Sequence, residues 1–167
     1  MKHALFVMVF ILISMPMNAQ NETCNCCSEK HTEFDFWIGE WSVINPDGTE
    51  AGYNIIDKTQ NNCMLRERWT SASEGYTGTS SNFYNAKTKQ WEQIWIDNQG
   101  GTLHLKGTKV DNQMILKTEP EVNKDGDFFY HRLTWTDNPD GTVRQYWETI
   151  IQGKAIVVAF DGLYKKR

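Results

Sequence analysis

The stretch Phe34-Asp35-Phe36-Trp37-Ile38-Gly39-Glu40-Trp41-Ser42-Val43 decides how the rest of the chain is read. An aromatic cluster runs into Gly39-x-Trp41 where a first β-strand should begin, and a strand that opens this way suggests a closed barrel. From Trp37 onward, alternating or aromatic-rich segments are separated by Gly, Asn, Asp and Pro clusters roughly every 8–12 residues, the spacing of an all-β sandwich or barrel. This pattern predicts strands over 37–45, 50–58, 63–71, 76–84, 91–97, 102–108, 113–119, 127–137, 142–150 and 155–165. No segment has a convincing helical period. Loops this short make neighbouring strands antiparallel, so the expected fold is an all-β, up-and-down antiparallel barrel of about eight to ten strands.

Two turns fix register, because Asn45-Pro46-Asp47-Gly48-Thr49 and Asn138-Pro139-Asp140-Gly141-Thr142 are the same five residues. Pro presets the first corner, Asp suits the second, and Gly takes the left-handed conformation that closes a three-residue hairpin loop. Counting outward from Asn138 and Thr142 sets Trp135 opposite Gln145, Leu133 opposite Trp147 and Arg132 opposite Glu148. The same count from the first turn sets Trp41 opposite Tyr53 and Gly39 opposite Ile55.

Directly opposed residues share a side of the sheet, so these registers sort side chains onto two faces. One face of the 127–150 hairpin carries Phe129, His131, Leu133, Trp135, Val143, Gln145, Trp147 and Thr149. The other, with Tyr130, Arg132, Thr134, Arg144, Tyr146 and Glu148, looks like a solvated exterior. Cys63, Leu65, Glu67 and Trp69 oppose Met64, Arg66 and Arg68 in the same way, and Trp91, Gln93, Trp95 and Asp97 oppose Glu92, Ile94 and Ile96. Neither face of the last strand is clearly polar.

If the Trp-bearing faces point inward, the expected ligand-binding residues are Trp41, Tyr53, Glu67, Trp69, Gln93, Trp95, His131, Trp135, Gln145 and Trp147. A solid core would not admit so many polar groups, since each buried one without a partner costs about 1–3 kcal/mol. A cavity admits them, because water or a ligand satisfies them. The competing expectation is a barrel filled by its tryptophans, with the polar groups at an open rim. Glu67, Asp97, His104, His131 and Asp161 are the candidate acids and bases. No spacing pairs a nucleophile with a base, and no nucleophile elbow, phosphate loop or zinc-protease motif is present, so no catalytic residue is assigned. No cofactor is predicted; haem on His131 or His104 is disfavoured, and c-type attachment lacks its Cys-x-x-Cys-His motif.

Residues 1–19 read as a secretory signal: Lys2 and His3 lead into an apolar run over 4–13 that is too short to span a bilayer and ends in small residues. The expected organisation is therefore a signal peptide over 1–19, a Cys-rich segment over 20–33 and a barrel domain over 34–167, in an exported, periplasmic or extracellular protein with no membrane span after cleavage. The full chain carries 17 Lys and Arg against 21 Asp and Glu. No basic cluster is longer than Lys165-Lys166-Arg167, which argues against nucleic acid as a partner. The even count of cysteines, Cys24, Cys26, Cys27 and Cys63, favours disulfides in an exported chain. Vicinal cysteines rarely bridge, so Cys63 is expected to pair with one of the other three and to fasten the N-terminal segment, leaving two that pair with each other. A thiolate metal site with His31 as fourth ligand is the alternative.

The chain also resembles a known group. Gly39-Glu40-Trp41 resembles the Gly-x-Trp signature of the calycin superfamily, the lipocalins and fatty-acid-binding proteins. The chain looks most like secreted bacterial lipocalin-like domains of unknown function, on the segments Phe34 to Trp41, Trp95-Ile96-Asp97-Asn98, Val143-Arg144-Gln145-Tyr146-Trp147-Glu148 and Phe160-Asp161-Gly162-Leu163-Tyr164. The resemblance implies a lipocalin-like barrel that holds a small apolar or amphipathic molecule. It also implies a basic residue near the chain end packed over Trp41, a role for Lys165 or Arg167. The expected function is non-covalent binding in a Trp-lined interior. An isomerase or hydrolase in the same cavity, or a cell-envelope interaction module using the Tyr130/Tyr146 face, are the alternatives.

Overall fold

A computed structural model describes residues 24–167, so the expected leader lies outside the described residues. Eleven strands follow in chain order: β1 (Gly39–Ile44), β2 (Glu50–Thr59), β3 (Met64–Ser71), β4 (Thr77–Asn85), β5 (Gln90–Asp97), β6 (Thr102–Val110), β7 (Gln113–Thr118), β8 (Glu121–Val122), β9 (Phe128–Asp137), β10 (Val143–Ile151) and β11 (Val157–Lys166). Each pairs antiparallel with its neighbour, and the β1–β11 and β9–β10 ladders close the sheet on itself. β7 and β8 lie one after the other along the same edge of β9. Pro120 separates them, and a residue without an N–H cannot continue a ladder. The architecture is thus a ten-stave up-and-down barrel with one broken stave.

All ten expected strands are present, within two residues at either end. The first begins later than expected because residues Asp35–Trp37 coil into a 3-10 turn, preceded by a single helical turn, α1 (Glu29–Thr32). These short elements run across one end of the barrel as a plug. Phe34 stacks on Trp37 at 5.0 Å between centroids, and both pack against Trp135 at 5.3 Å. All three are fully buried, together with Trp41, Met114 and Leu116. Burying large aromatics at about 25 cal/mol per Å² makes this closed end the main apolar core.

The plug is tied to the wall covalently and by charge. Cys26 bonds Cys63 in the β2–β3 turn, and Cys24 bonds Cys27. Both bridges follow the expected pattern and remove the thiolate metal site; His31 instead faces the Tyr84 ring edge-on and bonds the Ser28 hydroxyl at 2.7 Å. Lys58 meets Asp35 at 2.7 Å, and the Trp91 indole N–H donates to Glu33 at 3.2 Å.

Gly39-x-Trp41 lies at this closed end. The Trp41 indole N–H donates to the Trp37 carbonyl at 2.9 Å. The cation over its ring is Lys166, with Nζ 4.5 Å from the centroid and bonded to the Ile38 carbonyl at 2.6 Å. That corrects the expectation of Lys165 or Arg167. Lys166 is the direct cross-strand partner of Trp41 and shares its side of the sheet, whereas Arg167 stacks outside on Tyr53 at 4.6 Å. Gly39 takes φ +140°, a conformation that favours glycine, and a Cβ there would also lie 2.6 Å from Lys166 Nζ.

The two Asn-Pro-Asp-Gly-Thr turns have one geometry, with Thr49 and Thr142 each bonding the Asp two residues back through both N–H and hydroxyl, at 3.0 and 2.6 Å. Register counted from the second turn matches the ladder at every pair. From the first turn it holds only to Ile44 opposite Glu50. There β2 bulges, Ala51 giving its carbonyl to Ala72 on the far side, and Val43 pairs with Gly52. One extra residue reverses parity. Trp41 therefore faces Asn54, Gly39 faces Ile56, and Tyr53 points outward, where its hydroxyl donates to Glu40 at 2.6 Å. The outer face of β9 and β10 is a charged lattice, with Arg132 bidentate on Glu148 and Arg144 bidentate on Asp161.

Candidate functional site

Above the aromatic core the barrel opens into a cavity of about 370 Å³. Its mouth lies at the end bearing the loops over 45–49, 72–76, 98–101, 123–127 and 152–156. Trp69, Trp95, Trp147, Phe160 and Tyr76 form the walls, and Glu67, Gln93, Gln145 and Tyr164 bring polar groups to it. Wall rings lie flat because the strands beneath them carry inward-facing glycines. A Cβ at Gly78 would sit 2.1 Å from the Trp95 ring, and one at Gly162 would sit 2.6 Å from Phe160. Neither ring could stay against the wall over any other residue.

The base of the cavity is a continuous hydrogen-bonded chain across six strands. Tyr164 donates to Gln145 Oε1 and accepts from Asn54 Nδ2 at 3.2 Å. The same Asn54 amide donates to Glu67 Oε1 at 2.7 Å, and the Ser80 hydroxyl donates to Glu67 Oε2 at 2.5 Å. Ser80 in turn accepts from Asn82 at 2.8 Å and Gln93 at 3.3 Å, and Gln93 also donates to Asn82 Oδ1 at 2.9 Å. With both lone pairs of Ser80 engaged, its single proton is committed to Glu67. Both carboxyl oxygens therefore accept, which is the arrangement of a carboxylate.

Burial acts against that charge. It pushes Glu67 up to about 7, while the bonds from Ser80 and Asn54 pull in the opposite direction. Burial, and then the neighbouring Glu67, push the Tyr164 phenol well above its ordinary value. No cation touches Glu67 among the described residues. His131, also inward-facing, sits above the cavity base: the Trp147 indole N–H donates to its Nδ1 at 3.0 Å. An indole can only donate, so His131 Nδ1 carries no proton there and the ring is held neutral, in line with the lowering that burial imposes.

Of the ten residues expected to bind a ligand, Glu67, Trp69, Gln93, Trp95, Gln145 and Trp147 line the cavity. Trp41 and Trp135 face inward but lie below it, sealed in the core, and Tyr164 occupies the place expected of Trp41. His131 supports Trp147 rather than the base, and Tyr53 is outside. Sequence reasoning missed Asn54, Ser80, Asn82 and Tyr164. Gly78, Ser80 and Asn82 do alternate along β4, but small polar residues at that period look like a solvent face.

Neither Glu67 nor His131 is hydrogen-bonded to a second titratable group among the described residues; their partners are Asn54 and Ser80, and Trp147 and Thr149. His104 and Asp161 are on the outer wall, engaged with Glu92 and Arg144. Asp97 is held at the rim by the N–H groups of Gln99 and Gly101 and by Tyr76. No group of three metal-ligating side chains occurs among the described residues.

The fold and site define a closed antiparallel barrel with a polar-based aromatic cavity open at one end. The sequence matches no protein-family model, and no curated protein is significantly similar to it.

Proposed function

We propose that this protein is an exported, lipocalin-like container that holds a small amphipathic molecule non-covalently inside the barrel. The observation that carries this reading is the cavity of about 370 Å³ with tryptophan walls and polar groups converging at its base. Its volume falls within the roughly 300–1,000 Å³ of small-molecule sites, which are mostly apolar with a few placed polar groups. The paired disulfides suit an oxidising compartment, as does the leader-like segment over 1–19.

Titration with N-phenyl-1-naphthylamine, a neutral apolar fluorophore, tests the reading through quenching of intrinsic tryptophan emission. Saturable quenching at one site per chain is expected. Gly78→Ala, which drives the Trp95 ring off the wall and into the cavity, is expected to weaken it at least tenfold while near-ultraviolet circular dichroism reports a folded barrel. Non-saturating quenching, or equal affinity in the folded variant, would overturn the proposal. Native mass spectrometry of protein taken from its own exported fraction then identifies any co-purified molecule.

A further inference from the structure

The charges that border the cavity are of one sign. Glu67 stands at its base and Glu50 at its rim, and among the described residues no Lys or Arg lines it. Glu67 is 4 % exposed, and both its oxygens accept bonds from neutral donors. A buried carboxylate ordinarily carries a cationic partner, because neutral donors recover only part of the hydration it loses. Elsewhere in this barrel the paired carboxylates have one: Glu148 has Arg132, and Asp161 has Arg144. Nearby, Asn54 Oδ1 is a buried acceptor without a donor among the described residues. Trp69, Trp95 and Trp147 surround the space above Glu67, and the faces of indole rings attract cations, the basis of aromatic cages for ammonium groups.

We infer that the ligand is an organic ammonium cation with an apolar body, its charged nitrogen directed at Glu67 and its body held among Trp69, Trp95 and Trp147. This rests on the container reading and names the chemistry of its occupant. An anionic amphiphile such as a fatty carboxylate would meet Glu67 and Glu50 with repulsion and no compensating cation.

Proton linkage follows from the groups facing Glu67. β2 presents Asn54 and Ile56, β4 presents Ser80 and Asn82, β5 presents Gln93 and β10 presents Gln145, all uncharged. β11 presents Tyr164, neutral throughout the accessible range. Glu67 alone therefore changes charge near neutrality, at about 7 in the empty barrel. A cation requires the ionised form, so below that value each binding event expels one proton and affinity falls about tenfold per pH unit. Above it, affinity levels off.

Phenyltrimethylammonium and tert-butylbenzene have the same shape and differ by one positive charge, so isothermal calorimetry with the two tests the inference. At about pH 8 the cation is expected to bind at least tenfold tighter than the hydrocarbon, and Glu67→Gln to bring the ratio near one. In the unaltered protein the cation's affinity is expected to drop about tenfold from pH 6.5 to pH 5.5. This second readout needs no variant. Equal or tighter binding of tert-butylbenzene, or a pH-independent affinity for the cation, would overturn the ammonium assignment and leave the container reading standing. Failure of both molecules to bind, with N-phenyl-1-naphthylamine also unbound, would remove both.

Discussion

Replacing Glu67 by Gln should change how stability depends on pH, in a direction opposite to that of most carboxylates. An unfolded chain ionises Glu near 4.3, whereas the folded barrel holds Glu67 protonated up to about 7. Between those values unfolding releases a proton, so rising pH favours the unfolded state. The sign follows: protonated Glu67 costs nothing below about 4.3, the penalty accumulates as pH climbs to about 7, and it is constant beyond. A gap of about 2.7 units at about 1.36 kcal/mol each corresponds to about 3.5 kcal/mol of stability lost across the window. Asp97 and Asp127, whose folded values are lowered by backbone N–H groups and by Lys154 respectively, oppose this trend in both proteins and cancel in the comparison. Urea unfolding of the two proteins, followed by tryptophan emission from about pH 4 to about pH 8, isolates the effect. The stability of Glu67→Gln relative to the parent is expected to rise by about 3.5 kcal/mol across that range. Any fixed penalty from placing an amide among donors shifts the whole curve and leaves its slope. Parallel curves would refute the reasoning, because they would mean that Glu67 ionises in the fold as it does in water.

Two further outcomes concern the closed end. Removing the Cys26–Cys63 bridge by Cys26→Ser with Cys63→Ser should lower unfolding free energy by about 3–4 kcal/mol on the loop-entropy estimate for a separation of 37 residues; an unchanged melting temperature would show that the bridge does not fasten the plug. Lys166→Met, which takes the ammonium from Trp41 and the Ile38 carbonyl, should cost about 1–2 kcal/mol in chemical denaturation, against less than about 0.5 for Lys165→Met. Equal costs would refute the role given to Lys166.

How far the sequence reveals this molecule depends on what sets each feature. Strand positions are legible because Pro, Gly, Asn and Asp mark the turns by their own backbone chemistry, as Asn138 to Thr142 does. Inward faces are legible from period-two alternation, which places Glu67, Gln93, Gln145 and Trp147 correctly. The bulge at Ala51 is not legible, since alanine has no preference for it and the demand comes from closing the sheet. One missed residue there sent Tyr53 inside and Asn54 outside. Height along the barrel axis is equally hidden: Trp41, Trp95 and Trp135 share a face, yet only Trp95 borders the cavity. The polarity of the base was half visible because Ser80 and Asn82 owe their burial to Glu67 across the ladder rather than to anything local. β11 has apolar residues on both faces near the mouth, with Val157 and Val158 both about half exposed, so Tyr164 and Lys166 could not be assigned a side by pattern.

The glycines beneath Trp95 and Phe160 set more than space. Both rings rest on main-chain atoms, which cannot rotate out of the way as side chains do. Walls backed in this way resist reshaping, so a guest of the proposed kind would enter without first rearranging its host. Alanine at 78 and 162 would push both rings off the wall and narrow the cavity, a change of two carbon atoms in the whole chain.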